Sequence, residues 1–305
     1  MTPYASFRST LRAKGDEGNC VFKPGESMVV KVGFLKLGCI GSAPLLEFML
    51  DERAEREDID VRVVGAGAKL ETEQAEDAAL RMLEFKPQIV IMVSPNATLP
   101  GPKKAREIIK AAGVPVIVVS DGPAKKAIQE LEQQGFGYVM VEADSIIGAR
   151  REFLDPVEMV LFNLDVTRVL AVTGALNVLI SEIDHAIELI KKGAHLSLPR
   201  IVVDKEIAIK AASFSNPYST TKAMAAYEMA RRVGAVSNEG CFAVKEWERY
   251  TQIASAAHEM MRQAARLADE AREIEKAQDA VSRTPHYDDG SVLKKQRLME
   301  KPAKS

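Results

Sequence analysis

Five short runs rich in Val and Ile recur in the first half of the chain, and their spacing restricts the fold more than any other feature. They cover residues 28–35, 59–65, 88–94, 114–120 and 137–141. Each is nearly continuously apolar. A strand with one wet face alternates apolar and polar residues, so a continuous run marks a strand covered on both faces, as in a parallel sheet. Helical stretches separate the runs, at 43–56, 72–85, 102–112 and 123–134. Pro102 and Pro123 suit first helical turns, and Gly113 and Gly135 suit helix C-termini. This alternation predicts an α/β fold with a Rossmann-like, doubly wound parallel sheet.

Such sheets bind ligands outside the carboxyl ends of their strands. The loop after the first run supplies Gly38, Ile40, Gly41 and Ser42 as candidates, with the amides of Gly41 and Ser42 at a helix start able to hold an anion. The loop after the third run supplies Ser94, Asn96 and Gly101, and the loop after the fourth supplies Asp121 and Gly122. The glycine pattern is not that of a nicotinamide domain. Gly38-x-x-Gly41 is not G-x-G-x-x-G, and the second run ends in Gly65 without an acidic residue for a ribose hydroxyl.

The second half reads as helical. Asp155-Pro156-Val157-Glu158 is a helix start, with Asp155 as N-cap and Glu158 at the capping-box position. Further helices are expected at 175–192, 205–213 and 217–233, with a short strand at 200–203. The longest helix is expected over 245–281. Ile253, Met260, Leu267, Ile274 and Val281 recur there every seven residues, beside Ala257, Ala264 and Ala271. That pattern fits a bundle or subunit-contact helix. The expected organisation is an N-terminal extension over 1–27, an α/β domain over 28–153, a helical bundle over 154–281, and a docking tail over 282–305 with a small sheet segment. The extension is either an added segment or an arm that packs on a neighbour.

Several function classes lose support. Lys+Arg number 41 and Asp+Glu 43, a net charge of −2, so the chain is no globally basic nucleic-acid binder. No apolar run approaches the roughly 18 residues that span a bilayer. Cys20, Cys39 and Cys241 form no C-x-x-C pair, which fits a reduced, cytoplasmic setting. His185, His195, His258 and His286 form no H-x-x-x-H, and no G-x-S-x-G elbow is present.

Among the remaining polar residues, His185 is expected to make surface pairs with Glu182 or Glu188. His258 reads either as a core or interface histidine or as a ligand contact. Lys103, Lys104, Arg106 and Lys110 read as a solvated helix face. Arg150 and Arg151, at the junction of the two halves, are better anion-binding candidates, because Arg binds carboxylate or phosphate bidentately. Glu142, Asp144 and Asp155 share that junction. A pterin or similar ring needs a carboxylate facing its amide and amino donors, and Asp144 is the more available because Asp155 caps a helix.

Longer motifs resemble one family. They are Lys36-x-Gly38-Cys39-Ile40-Gly41, Leu50-Asp51-Glu52-Arg53-Ala54, Asp58-Ile59-Asp60-Val61-Arg62-Val63, Pro100-Gly101-Pro102-Lys103-Lys104-Ala105-Arg106, Ile147-Gly148-Ala149-Arg150-Arg151-x-Phe153-Leu154-Asp155-Pro156-Val157-Glu158-Met159, Asn216-Pro217-Tyr218 and Asp279-Ala280-Val281-Ser282-Arg283-x-Pro285-His286. Over about residues 28–302 the chain resembles the coenzyme F420-dependent methylenetetrahydromethanopterin dehydrogenases of methanogenic and related archaea. The resemblance implies reversible hydride transfer from methylenetetrahydromethanopterin to F420, a diffusible co-substrate, giving the methenyl cation and reduced F420. It implies no metal, no bound flavin and no side-chain nucleophile, and a homohexamer built from dimers. Both substrates would lie between the α/β domain and the bundle. F420 would meet the strand-end residues named above, and the pterin would meet Asp144, Arg150, Arg151 and His258. An NAD(P) dehydrogenase and a non-catalytic assembly subunit are the competing readings.

Overall fold

A computed structural model describes residues 29–51 and 55–304. The extension over 1–27 lies outside the described residues. Six parallel strands form one sheet: β1 (Val30–Lys36), β2 (Ile59–Gly65), β3 (Ile89–Val93), β4 (Val116–Asp121), β5 (Gly137–Val141) and β6 (Arg200–Val203). Their order is β2-β1-β3-β4-β5-β6. Every residue of β3, β4 and β5 is buried, which is why those runs carry no polar alternation.

Alternate side chains enter two separate cores. Phe34, Ile91, Val93 and Val119 join one, and Leu35, Met92, Val118 and Met140 join the other. The second core packs under α2 (Thr72–Glu84), α3 (Pro100–Ala111) and α4 (Ile128–Gln133). The first packs under α1 (Ser42–Asp51), α5 (Pro156–Val172), α6 (Ala175–Lys191), α8 (Pro217–Asn238) and α9 (Trp247–Ala277). This is a doubly wound sheet with helices on both faces.

Some boundaries differ from expectation. The helix expected over 43–56 is described as α1, to Asp51, and residues 55–58 are not helical. There Arg56 instead forms a buried pair with Asp58 at 2.9 Å. Pro100 rather than Pro102 opens α3. Residues Gly122–Ala127 form a 3-10 helix before α4, a tighter start common at helix ends. The strand at 200–203 lies within the helical half of the sequence but completes the main sheet beside β5. One continuous core therefore links sheet and bundle.

Asp155 caps α5 as expected, accepting from the Glu158 amide at 2.8 Å. Glu158 does not close a capping box, because its carboxylate pairs with His258. α7 (Lys205–Ala212) is capped by Asp204. A π-helical turn, Glu239–Ala243, joins α8 to α9. In α9 the fully buried column is alanine (Ala257, Ala264, Ala268, Ala271), while Met260 and Leu267 are only partly buried. Small side chains there let α9 approach Ala223, Ala226 and Ala230 of α8. The tail forms a two-stranded antiparallel sheet of β7 (Leu293–Lys294) and β8 (Ala303–Lys304). Among the described residues no single helix is long and apolar enough to cross a membrane.

Candidate functional site

The strand order changes direction between β1 and β3, so the loops after these strands are the first place to look for a ligand. They are closed by packing. Ile40 is buried, and Gly38 donates to the Gly67 carbonyl at 3.1 Å. The Asp144 carboxylate accepts from the amides of Gly41 (2.6 Å) and Ser42 (2.8 Å). The anion site at the start of α1 is thus filled by the protein's own carboxylate. A Cβ on Gly41 would lie 2.4 Å from Val166 Cγ1, so this glycine lets α1 meet α5. Ser94 and Asn96 shape their own turn. Ser94 Oγ accepts from the Asn96 amide, and Asn96 Oδ1 accepts from the amide and hydroxyl of Thr98.

Asp144 is therefore not the available acid that the sequence suggests, because both its oxygens are engaged. It is fully buried, and burial raises its pKa to about 6 even though the Gly41 and Ser42 donors oppose the shift.

The open site lies two strands away. A pocket of about 250 Å³ sits at the carboxyl ends of β4 and β5, walled by α8. Asp121 and Gly122 line it from β4, Glu142, Asp144 and Ser145 from the segment after β5, and Arg231 and Gly234 from α8. Asp121 is 2% exposed, and its Oδ1 has no hydrogen-bond partner among the described residues. The nearby cations are engaged elsewhere: Lys125 pairs with Glu142 at 2.5 Å, and Arg231 with Glu228 at 2.6 Å. Burial, reinforced by the Asp144 charge, lifts the Asp121 pKa to about 8; the amides of Asp121 and Ala124 offset this only in part. At neutral pH Asp121 is a protonated, recessed carboxyl with one oxygen unused.

The other expected site residues fall elsewhere. Gly101 lines a separate recess of about 390 Å³ between the starts of α2 and α3. Arg150 donates to the carbonyls of Gly240 (3.1 Å) and Val244 (3.4 Å) and stacks 4.3 Å from the Tyr250 ring. Its guanidinium holds the π-helical turn and is not an open fork for an anion. Arg151 is exposed and has no hydrogen-bond partner among the described residues. His258 is a core histidine wedged between Phe153 (4.7 Å) and Phe162 (4.4 Å), with Nδ1 2.8 Å from Glu158. Burial lowers its pKa, the Glu158 pair opposing, so the ring is neutral at pH 7. None of these three lines the 250 Å³ pocket.

The solvated-face reading of the α3 cations also needs correction. Arg106 is fully buried, donating to the Ala97 carbonyl at 2.7 Å and to Glu130 at 2.9 Å. Glu188 pairs with Lys191 at 2.6 Å and not with His185. Sequence reasoning missed the α8 wall of the pocket. Its one signal is Gly234, a glycine inside a helical pattern and one residue beyond the expected helix end at 233. Among the described residues no three His, Cys, Asp or Glu side chains are placed to hold a metal ion.

Comparison with known proteins agrees with this architecture. A family model described as methylene-5,6,7,8-tetrahydromethanopterin dehydrogenase matches residues 30–303. The chain is 58% identical over 275 residues to the F420-dependent methylenetetrahydromethanopterin dehydrogenase of Archaeoglobus fulgidus. It is 52% identical over 276 residues to the enzyme of that name from Methanocaldococcus jannaschii. Each alignment covers 90% of this chain and 100% of the relative. A solved structure of an F420-dependent methylene-tetrahydromethanopterin dehydrogenase, in complex with methylene-tetrahydromethanopterin and coenzyme F420, superposes with a TM-score of 0.87 at 46% identity. It covers 90% of this chain and 100% of its own.

Proposed function

Because the chain belongs to the methylene-5,6,7,8-tetrahydromethanopterin dehydrogenase family, we infer that it catalyses reversible hydride transfer between methylenetetrahydromethanopterin and coenzyme F420. The observation that carries this is the likeness, along 90% of the chain, to a structure holding both of those molecules. When both are bound, the hydride passes from the one-carbon bridge of the pterin to the deazaflavin ring, and the rings supply the chemistry. The protein's share is to hold two carbons in contact and to set the charge around them. A β4–β5 pocket with a recessed acid suits that task better than the packed β1–β3 loops do.

Mixing the protein with methylenetetrahydromethanopterin and F420 should bleach oxidised F420, with no reaction when NAD or NADP replaces it. Turnover with NADP alone would favour a nicotinamide enzyme, and no turnover with either would favour an assembly subunit.

The pocket is smaller than the roughly 300–1,000 Å³ that encloses a whole ligand. This pocket therefore has room for a ring end, with the tails lying outside it. This fits the expected assembly of six copies, and α5 carries a face suited to it. Val157, Val160, Leu161 and Leu164 fall at helical spacing and are all exposed, and α1, which packs against α5, exposes Phe48. A stripe of that kind in a soluble protein marks a contact surface. Light scattering should give the mass of six chains for the natural protein and a smaller species for Leu164→Glu. A monomeric natural protein at micromolar concentration would refute the assembly.

A further inference from the structure

We propose that Asp121 is the specificity-determining acceptor for the aminopyrimidinone edge of the pterin, a ring edge presenting two adjacent N–H donors. This rests on the dehydrogenase reading for the identity of the pterin, but the acceptor itself is read from the geometry. Three observations meet at this residue. Its side chain lines the pocket at the strand ends while being 98% withdrawn from water, and its Oδ1 has no partner among the described residues. Buried carboxyl oxygens are otherwise satisfied almost everywhere in folded proteins. The basic side chains around the pocket are held by Glu142 and Glu228, so neither neutralises it. Asp144, the other acid there, has both oxygens on the α1 amides, which leaves Asp121 to meet a ligand.

Two N–H donors facing Asp121 favour its ionised form, so binding draws off the proton that the empty pocket retains; the carboxylate then only accepts, and its complement is a set of donors. An amino group beside a ring N–H offers two in the parallel geometry that a carboxylate takes best. The dione edge of a deazaflavin places carbonyls on both sides of its single N–H and would set oxygen against oxygen. The same contrast separates a 2-amino-4-oxo pterin from a 2,4-dioxo lumazine. There is also room. A Cβ on Gly122 would come no nearer than 3.6 Å to Glu142, and one on Gly234 no nearer than 3.5 Å to Ser145.

Calorimetric binding of tetrahydromethanopterin to the natural protein and to Asp121→Asn tests this without needing turnover. The variant should bind the pterin at least about tenfold more weakly, with the F420 dissociation constant changed less than about twofold. The natural protein should also bind 6-methylpterin at least about tenfold more tightly than 6-methyllumazine, a preference the variant loses. Equal pterin affinity in variant and natural protein overturns the proposal even if F420 turnover is normal. Asp121-dependent pterin binding without F420 turnover upholds it while defeating the dehydrogenase reading. Should the variant fail to fold, the natural protein decides: equal affinity for pterin and lumazine, or no affinity for either, overturns it.

Discussion

Gly101→Ala should cost about 3 kcal/mol or more of stability, because the added methyl has nowhere to go. Its Cβ would lie 2.1 Å from the Leu70 carbonyl oxygen and within 3.0 Å of the Glu71 carbonyl oxygen. Both are backbone atoms, so no side-chain rotation relieves the overlap, and α3 would have to lift off the loop after β2. Relief by moving α3 would disturb the second core, where Ala105 and Ile109 of the same helix pack against the sheet. Gly122→Ala is the matched control. It sits at a strand-end loop of the same sheet, but its Cβ meets nothing closer than 3.6 Å. Urea unfolding of both should show a large shift in midpoint for the first and a change within about 1 kcal/mol for the second. Similar shifts in the two would mean that the β2–α3 approach is looser than the structure has it.

Asp121→Asn should stabilise the fold, and only at higher pH. The sign follows from linkage. A carboxyl raised from its ordinary value near 3.8 to about 8 holds its proton in the folded chain when the unfolded chain has already lost it. Between about pH 4 and pH 8 the natural protein therefore loses stability as pH rises, by about 3 kcal/mol or more over the window. Asparagine has no proton to lose, so that slope disappears. The two proteins should unfold at similar temperatures near pH 4 and diverge steadily toward pH 8, with the variant higher. Asp144 adds a shallower fall of the same sign below about pH 6, shared by both proteins. A pH-independent offset would show that the Asp121 carboxyl is not held protonated. A gain in stability coupled to weaker pterin binding is what a group kept for its ligand should give.

Much of the fold was legible because its signals are local. The continuous Val and Ile runs became β3 to β5, since burial on both faces removes the polar alternation there, while β1 and the edge strand β2 keep exposed residues such as Lys31 and Arg62. Asp155 before Pro156 capped α5 because a cap needs only neighbours three residues away. The errors arose where a partner lies far off in sequence. Gly41 and Ser42 had the chemistry of an anion site, but Asp144, more than 100 residues later, occupies it. Arg106 looked like part of a solvated row, yet Ala97 and Glu130 bury it. Arg150 had the chemistry of an anion fork, but the π-helical turn that it holds begins 89 residues on, at Glu239. The pocket itself needed α8 to pass over the ends of β4 and β5, and apart from Gly234 nothing local to residues 231–238 points to that crossing. Motif resemblance reached the activity without these contacts because long, specific motifs track ancestry and not geometry.

Direct passage of a hydride between two rings held together by the protein leaves an isotopic trace. The test is to run the reaction in ordinary water with deuterium in the one-carbon bridge of methylenetetrahydromethanopterin, and then to locate the label in reduced F420. Direct transfer predicts one deuterium on the newly reduced ring carbon of F420 and none released to water. Deuterium appearing in the solvent, with hydrogen at that carbon, would contradict it.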